Sequence, residues 1–408
     1  MGWFNELIFT KNGKQPADLT IITYSLVFHT IVAIFACIAI VVSISILIQT
    51  LVTPTVKTND YESNQRLRTS ITDYLTTNSL PDTTPMNQFS VATASFGGIY
   101  TEEGSYNGSV SVDAARLQVE AGSRAVVLDI WPDPADPKIP IVCTMVDTTQ
   151  GGVIGWWKNY GGLKNRVGRY SNWQKLTRNS RPANEIVSTL IRTAFYGPSS
   201  QQKTDPFFLI LKLHGEMTTS YLNYLGESIH ESIQGHAMSS EWNKCLNQRA
   251  ISTAPVNVFM SRVFIIVIPD INEEVNSLPG INTYAKFIPA FLETRLGEIT
   301  NAIEQNPNTM MFEPRSISSV SDAGQPSTTI GGPAMSLAQT GICVVHPSVG
   351  GSTLNSALFS EKDYAACLQS GAQFVGVNLF SSDSIDSDKT LGTFFNEKQF
   401  GKYSFKKI

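Results

Sequence analysis

The chain is poor in charge. Charged side chains make up 16% of its 408 residues, against about a quarter in ordinary soluble proteins. The 30 basic and 34 acidic residues leave a net charge of -4, so the chain as a whole lacks the basic excess of a nucleic-acid binder. Cysteine is scarce too: Cys37, Cys143, Cys245, Cys343 and Cys367 are odd in number and far apart. That spacing excludes a disulfide framework and the paired spacing of a zinc site, and it fits free thiols in a reducing compartment.

Charge is missing altogether between Asp18 and Lys57. A helix needs about 20 apolar residues to cross a bilayer, and the run is longer than that. Residues 1–18 form a short N-terminal segment, 19–52 a single transmembrane helix in contact with lipid over 20–51, and 53–86 a polar stalk. A cleaved signal peptide is the alternative, but its apolar core is about 7 to 15 residues long. Lys11 and Lys14 before the run are offset by Glu6 and Asp18, while Lys57, Arg66 and Arg68 follow it. The positive-inside count therefore leans only slightly towards a cytosol-facing body. His29 lies within the span and is expected to be neutral and hydrogen-bonded. Glu6 stands where a myristoylation motif wants Ser or Thr.

From 87 to 408 the texture changes to that of a folded body. Apolar, β-branched runs (QFSVATA, RAVVLDIW, IPIVCTM, FFLILKL, RVFIIVIPD, GICVVHP, AQFVGVNLF) alternate with helical patterns such as ANEIVSTLIRTAF and YAKFIPAFLETRLGEITNAIEQ. Nearly continuous apolar strands separated by helices point to an α/β fold with a parallel sheet covered on both faces. About seven or eight such strands suit a closed TIM-type (β/α) barrel whose last strand pairs with the first. Chemistry in such a fold sits at the C-terminal strand ends. The residues there are Ser95, Phe96, Asp129, Trp131, Thr144, Lys212, His214, Asp270, His346 and Asn378.

The order of these motifs resembles phosphoinositide-specific phospholipase C. AGSRAVVLDIWPDP (121–134), ANEIVSTLIRTAF followed by DPFFLILKLHGE, and LQSGAQFVGVNLF (368–380) carry the likeness. The resemblance implies a phosphodiesterase barrel with two catalytic histidines and a calcium held by Asn, two Glu and Asp. Here the first histidine falls at Phe96 and the second at Cys143 or Thr144, and neither phenyl nor hydroxyl titrates like imidazole. The asparagine falls at Gly97. Of the calcium carboxylates, one falls at Val127, one is kept as Asp129 and one falls at Lys212. An ammonium in the ligand set repels a hard dication. Lys212 then either pairs with Asp129 or both reach solvent, and His214 is expected to be hydrogen-bonded below the mouth. The expected catalytic set is therefore empty, with Asp129, Lys212 and His214 as a vestigial site and no metal or cofactor. An active membrane-bound phosphodiesterase is the competing reading.

Within the body, residues 148–184 form an insertion without an acidic residue. Lys158, Lys164, Arg166, Arg169, Lys175, Arg178 and Arg181 are interleaved there with Trp156, Trp157, Tyr160, Tyr170 and Trp173. Loops at this end of a barrel carry binding, and the admissible partners are anionic lipid headgroups, an acidic protein surface or nucleic acid. The aromatics can equally plug the barrel top. A pseudoenzyme tied to a bilayer, rich in Asn, Ser and Thr and with free thiols, leads to the expectation of a structural protein. Its expected setting is the inner membrane of a large virus particle, where it serves as a minor capsid component among neighbouring structural proteins, with no nucleic acid bound.

Overall fold

In the computed structural model the described residues are 16–51, 69–101, 108–147, 173–175, 177–197, 202–214, 219–233, 235–237, 254–269, 290–291, 314–316, 344–346, 364, 368, 372–380 and 399–408. The chain divides into two units, Met1–Pro54 and Thr55–Ile408.

The first unit is one 36-residue helix, Pro16–Leu51, about 54 Å long at the usual helical rise. Its 18-residue stretch Val27–Ile44 is long and apolar enough to cross a membrane, and none of that stretch is buried. Phe28, Phe35, Ile40 and Val41 are all exposed. An apolar surface of this kind is unfavourable in water, and a helix of this length and composition near the N-terminus fits either a membrane anchor or a signal sequence. Phe28 meets His29 edge-on, ring centroids 6.0 Å apart.

The second unit is a mixed α/β body built on one large sheet. Its strands are β1 (Phe89–Ala94), β2 (Ile99–Thr101), β3 (Gly108–Val110), β4 (Ala125–Pro132), β5 (Pro140–Val142), β6 (Met145–Asp147), β7 (Trp173–Lys175), β8 (Arg181–Pro182), β9 (Phe207–Leu213), β10 (Val263–Pro269), β11 (Ala290–Phe291), β12 (Pro314–Ser316), β13 (Val344–His346), β14 (Phe374–Val377) and β15 (Phe405–Lys407). The main path runs β11-β10-β9-β4-β1-β14-β13-β12, with every junction parallel. The strand order is cyclic in sequence: β1 lies between β4 and β14, as expected of first and last strands that meet.

Alternation along the strands divides the core between two faces. Ala92, Leu128, Leu209 and Val375 pack with Ile186, Leu190 and Tyr221 from the covering helices. Val91, Val127, Phe208, Ile210, Phe264 and Phe374 form the second core, closed by Ile71, Met86 and Phe259. Phe208 is its centre, with the rings of Phe374, Phe264 and Phe259 at 4.9, 5.9 and 6.0 Å. The helix Ala183–Tyr196 buries Ala183, Ile186, Val187, Leu190, Ile191 and Ala194, the i, i+3, i+4 stripe of a surface helix. The helix Val112–Glu120 starts where Ser111 Oγ accepts the Asp113 N–H, an ordinary N-cap.

Three readings of the sequence are corrected. The run 139–145 does not join the parallel path: β5 is antiparallel to β4, with Ile130↔Val142 and Trp131↔Ile141. The seven residues between β4 and β5 are too few for a parallel crossover, which takes about a dozen or more. Of the expected helix 284–305 only Ala290–Phe291 is described, and it pairs in parallel with β10 instead. Finally, the polar segment 53–86 is not all stalk: Ile71–Thr77 is a helix capped by Ser70, and Ile71, Tyr74 and Leu75 are buried in the body. One apolar helical turn sits inside an otherwise polar stretch.

Candidate functional site at the C-terminal strand ends

The alternation that puts Val127, Phe208 and Phe374 on one face places Asp129, Trp131, Lys212, His214 and Asn378 further along that face. This face is therefore apolar at the N-terminal ends of the strands and polar at the C-terminal ends. Ser95, Asp129, Trp131, His214 and Asn378 are all buried, and Lys212 is half-buried.

At the centre is a pair. His214 Nε2–H donates to Asp129 Oδ1 at 2.8 Å, with 7% and 11% of the two side chains exposed. The imidazole lies flat on the Trp131 indole, 4.3 Å between centroids and 5° between planes. The strand register produces this geometry: Asp129 is the cross-strand partner of Lys212, and the ladder continues through the His214 N–H to the Ile130 carbonyl at 2.9 Å. Trp131 and His214 thus stand side by side on adjacent strands. Of the two neighbours available to Asp129, the hydrogen-bonded one is His214, two residues beyond Lys212.

Phe96 does not face an open site. It sits at φ 55° in the left-handed region, buried in the helix-covered core. Gln118 holds this turn from the helix Val112–Glu120, donating Nε2–H to the Phe96 carbonyl at 3.2 Å and accepting the Gly98 N–H at 2.9 Å. Gly97 lies so close to β4 that a Cβ would come within 2.4 Å of Leu128 Cδ2 and 2.5 Å of Val126 Cγ1. The turn after β1 is therefore sealed by packing. A bulky residue at positive φ is uncommon and stores strain.

Thr144 is buried between β5 and β6, and its Oγ1 has no hydrogen-bond partner among the described residues, as is also true of Ser95 Oγ. Cys143 is buried beside it, its N–H 3.4 Å from the Asp129 carbonyl. Burial raises its thiol pKa far above the ordinary range; Lys175 opposes this, while Asp129 and Asp133 add to it. A thiol held protonated in this way is no nucleophile. The phenol of Tyr221 is likewise pushed up, by burial first and Cys143 second.

Gln118 is the functional-looking residue that sequence reading passed over; its only signal was a polar side chain on the buried stripe of a helix. Among the other histidines, His236 is structural: its ring nitrogens lie 2.9 Å from the Ser261 carbonyl and 2.9 Å from the Tyr196 hydroxyl, and it stacks on Phe195. His230 lies in the helix Thr219–Ser232, and His346 ends β13. Trp156, Trp157, Lys158, Lys164, Arg166, Arg169 and Asp270 lie outside the described residues. Among the described residues no three His, Cys, Asp or Glu side chains form a metal-binding group.

No protein-family model matches the chain, and no curated protein matches it. Among solved structures it is similar to PLC21 of S. officinalis, at 12% identity and TM-score 0.43 over 74% of this chain and 34% of that one. The chain thus spans about a third of PLC21. It is also similar to a calcium-dependent phosphoinositol-specific phospholipase C from a Pseudomonas species, at 15% identity and TM-score 0.43 over 80% of this chain and 95% of that one. A third similar structure, at 10% identity and TM-score 0.31, has been described as a glycerophosphodiester phosphodiesterase of Galdieria sulphuraria. Likeness at this level carries no argument about activity, which rests on the residues themselves.

Proposed function

We propose that the body is a closed (β/α) barrel of the phospholipase C type that has lost its chemistry and serves as a membrane-tethered binding or scaffolding protein. The order of sequence motifs and the cyclic strand order support the barrel, with β11 and β12 as the pair that closes it. One observation carries the loss of chemistry: the retained carboxylate, Asp129, is taken up by a buried imidazole under an indole. The neighbouring position holds Lys212 rather than a second carboxylate. A hard dication needs six or more oxygen ligands, largely anionic, and this corner offers a cation instead. Phe96 and Thr144 supply no second imidazole. The helix Pro16–Leu51 is the bilayer anchor in this reading, and the cations of 148–184 are the grip for acidic protein surfaces or anionic headgroups. The virion setting rests on the sequence alone.

The test is turnover by the full chain in mixed micelles containing phosphatidylinositol, with and without calcium. No inositol phosphate is expected above the buffer rate. Calcium-dependent release that Asp129→Asn abolishes would return the protein to the enzymes. Binding is tested by Lys164→Glu, Arg166→Glu and Arg169→Glu together, which should weaken sedimentation with anionic vesicles or capture of acidic partners while leaving the melting temperature unchanged.

A further inference from the structure

A second buried polar cluster lies at the opposite end of the sheet, at the N-terminal ends of β4 and β9. Arg124, Gln202, Asp205 and Ser404 are each at most 2% exposed. They come from three places in the chain and meet around the segment 69–77. The Ile71 N–H donates to Asp205 Oδ1 at 3.0 Å, across 134 residues. Gln202 Nε2–H donates to the Thr69 carbonyl at 3.1 Å and to Ser404 Oγ at 2.9 Å. Ser404 Oγ–H donates in turn to the Gly122 carbonyl. Arg124 donates to Gln202 Oε1 at 3.3 Å and to the Ala194 carbonyl at 3.1 Å.

The two chain ends also hold each other directly. Thr69 forms a parallel bridge with Tyr403, and its N–H donates to the Lys402 carbonyl at 2.7 Å. The Lys407 N–H donates to the Tyr74 hydroxyl at 2.9 Å, and the rings of Tyr74 and Tyr403 meet edge-on at 4.8 Å. Beyond them, β15 is laid antiparallel on β1, with Phe89↔Lys407 and Val91↔Phe405.

We propose that this cluster is a clasp through which the linker-proximal segment Thr69–Thr77 and the C-terminal segment 402–408 dock and undock as one unit. The physical reason is shared partners. If Thr69 and Ile71 leave, Gln202 Nε2 loses one of its two acceptors and Asp205 Oδ1 its backbone donor in a buried site, and under-satisfied buried polar groups cost more than the bonds themselves contribute. The loss falls on Ser404 next, because Gln202 serves both ends. Opening one end therefore weakens what holds the other.

The clasp also senses protons. Asp205 faces Arg124 from the start of β4 and Asp73 from the helix Ile71–Thr77. Burial pushes its carboxyl up to about 7, with Arg124 and the Ile71 N–H opposing and Asp73 adding to the rise. Burial also lowers Arg124 to about 10, with Asp205 opposing. Asp205 Oδ2 has no hydrogen-bond partner, so ionisation adds charge that nothing adjacent fully satisfies. The clasp is tighter on the acid side of neutrality and looser above it.

Native-state hydrogen exchange on the full chain in detergent tests this. The amides of Thr69, Ile71 and Lys407 should exchange through one opening, with a common free energy and denaturant dependence below that of the helix Ala183–Tyr196. Separate isotherms for the two ends would overturn the proposal. Gln202→Leu should speed exchange about tenfold at both ends, the effect of one or two modest hydrogen bonds, and leave the helix Ala183–Tyr196 unchanged. Acceleration at one end alone would also overturn it. Should that variant not fold, the wild-type isotherms decide.

Discussion

The reading of Asp129 as a carboxylate held by His214 makes a quantitative prediction. Both side chains are nearly buried and 2.8 Å apart, and a hydrogen bond to a carboxylate belongs to a class that contributes about 1.5–3 kcal/mol. The pair is to be dissected with Asp129→Ala, His214→Ala and the double variant, each unfolded with urea as the full chain in detergent. Either single substitution leaves a buried group without its partner and should cost about 2–4 kcal/mol, the lost bond plus the orphan's desolvation. The double variant should cost less than the sum of the two, with a coupling of about 1.5–3 kcal/mol, because one bond cannot be lost twice. Loss of the Trp131 stack belongs to His214→Ala alone and cancels in the cycle. A coupling below about 0.5 kcal/mol, as seen for exposed pairs, would mean that the carboxylate is solvated and open to a ligand. The argument for a closed site would then fail.

Further expectations concern the packing and the clasp. Phe208→Ala should cost about 3–5 kcal/mol, since the ring is fully buried among three others; a loss under about 1.5 kcal/mol would contradict that packing. Gly97→Ala forces a methyl against Leu128 and Val126 and should cost about 1–3 kcal/mol, the usual range for overpacking, with no loss if the turn stands clear of β4. For Asp205, the folded carboxyl titrates near 7, above the ordinary value of about 3.9. The folded state therefore binds the proton more tightly, and this contribution is complete below about pH 4 and lost as pH rises through about 7. Between pH 5 and 8 the melting temperature of wild type should fall relative to that of Asp205→Asn, and a flat difference or the opposite slope would refute the assignment.

Sequence by itself determined what depends on neighbours along the chain. The uncharged stretch between Asp18 and Lys57 gives the exposed helix, and its length and composition decide that alone. Apolar runs at β1, β4, β9, β10 and β14 gave the strands, and the stripe in 183–196 gave its helix, because burial on a periodic element leaves a periodic pattern. The short turn before β5 was a legible signal that a count of apolar runs overlooked. Tertiary structure decided the rest. The sequence offered Asp129 either Lys212 or solvent, and strand register with the Trp131 stack instead put the bond on the imidazole of His214, just beyond β9 and 85 residues away in sequence. The burial of Ile71, Tyr74 and Leu75 and the joining of Thr69 to Ser404 through Gln202 left no local trace. A hydrogen bond between distant segments is set by how the sheet brings their ends together, and no periodicity records it.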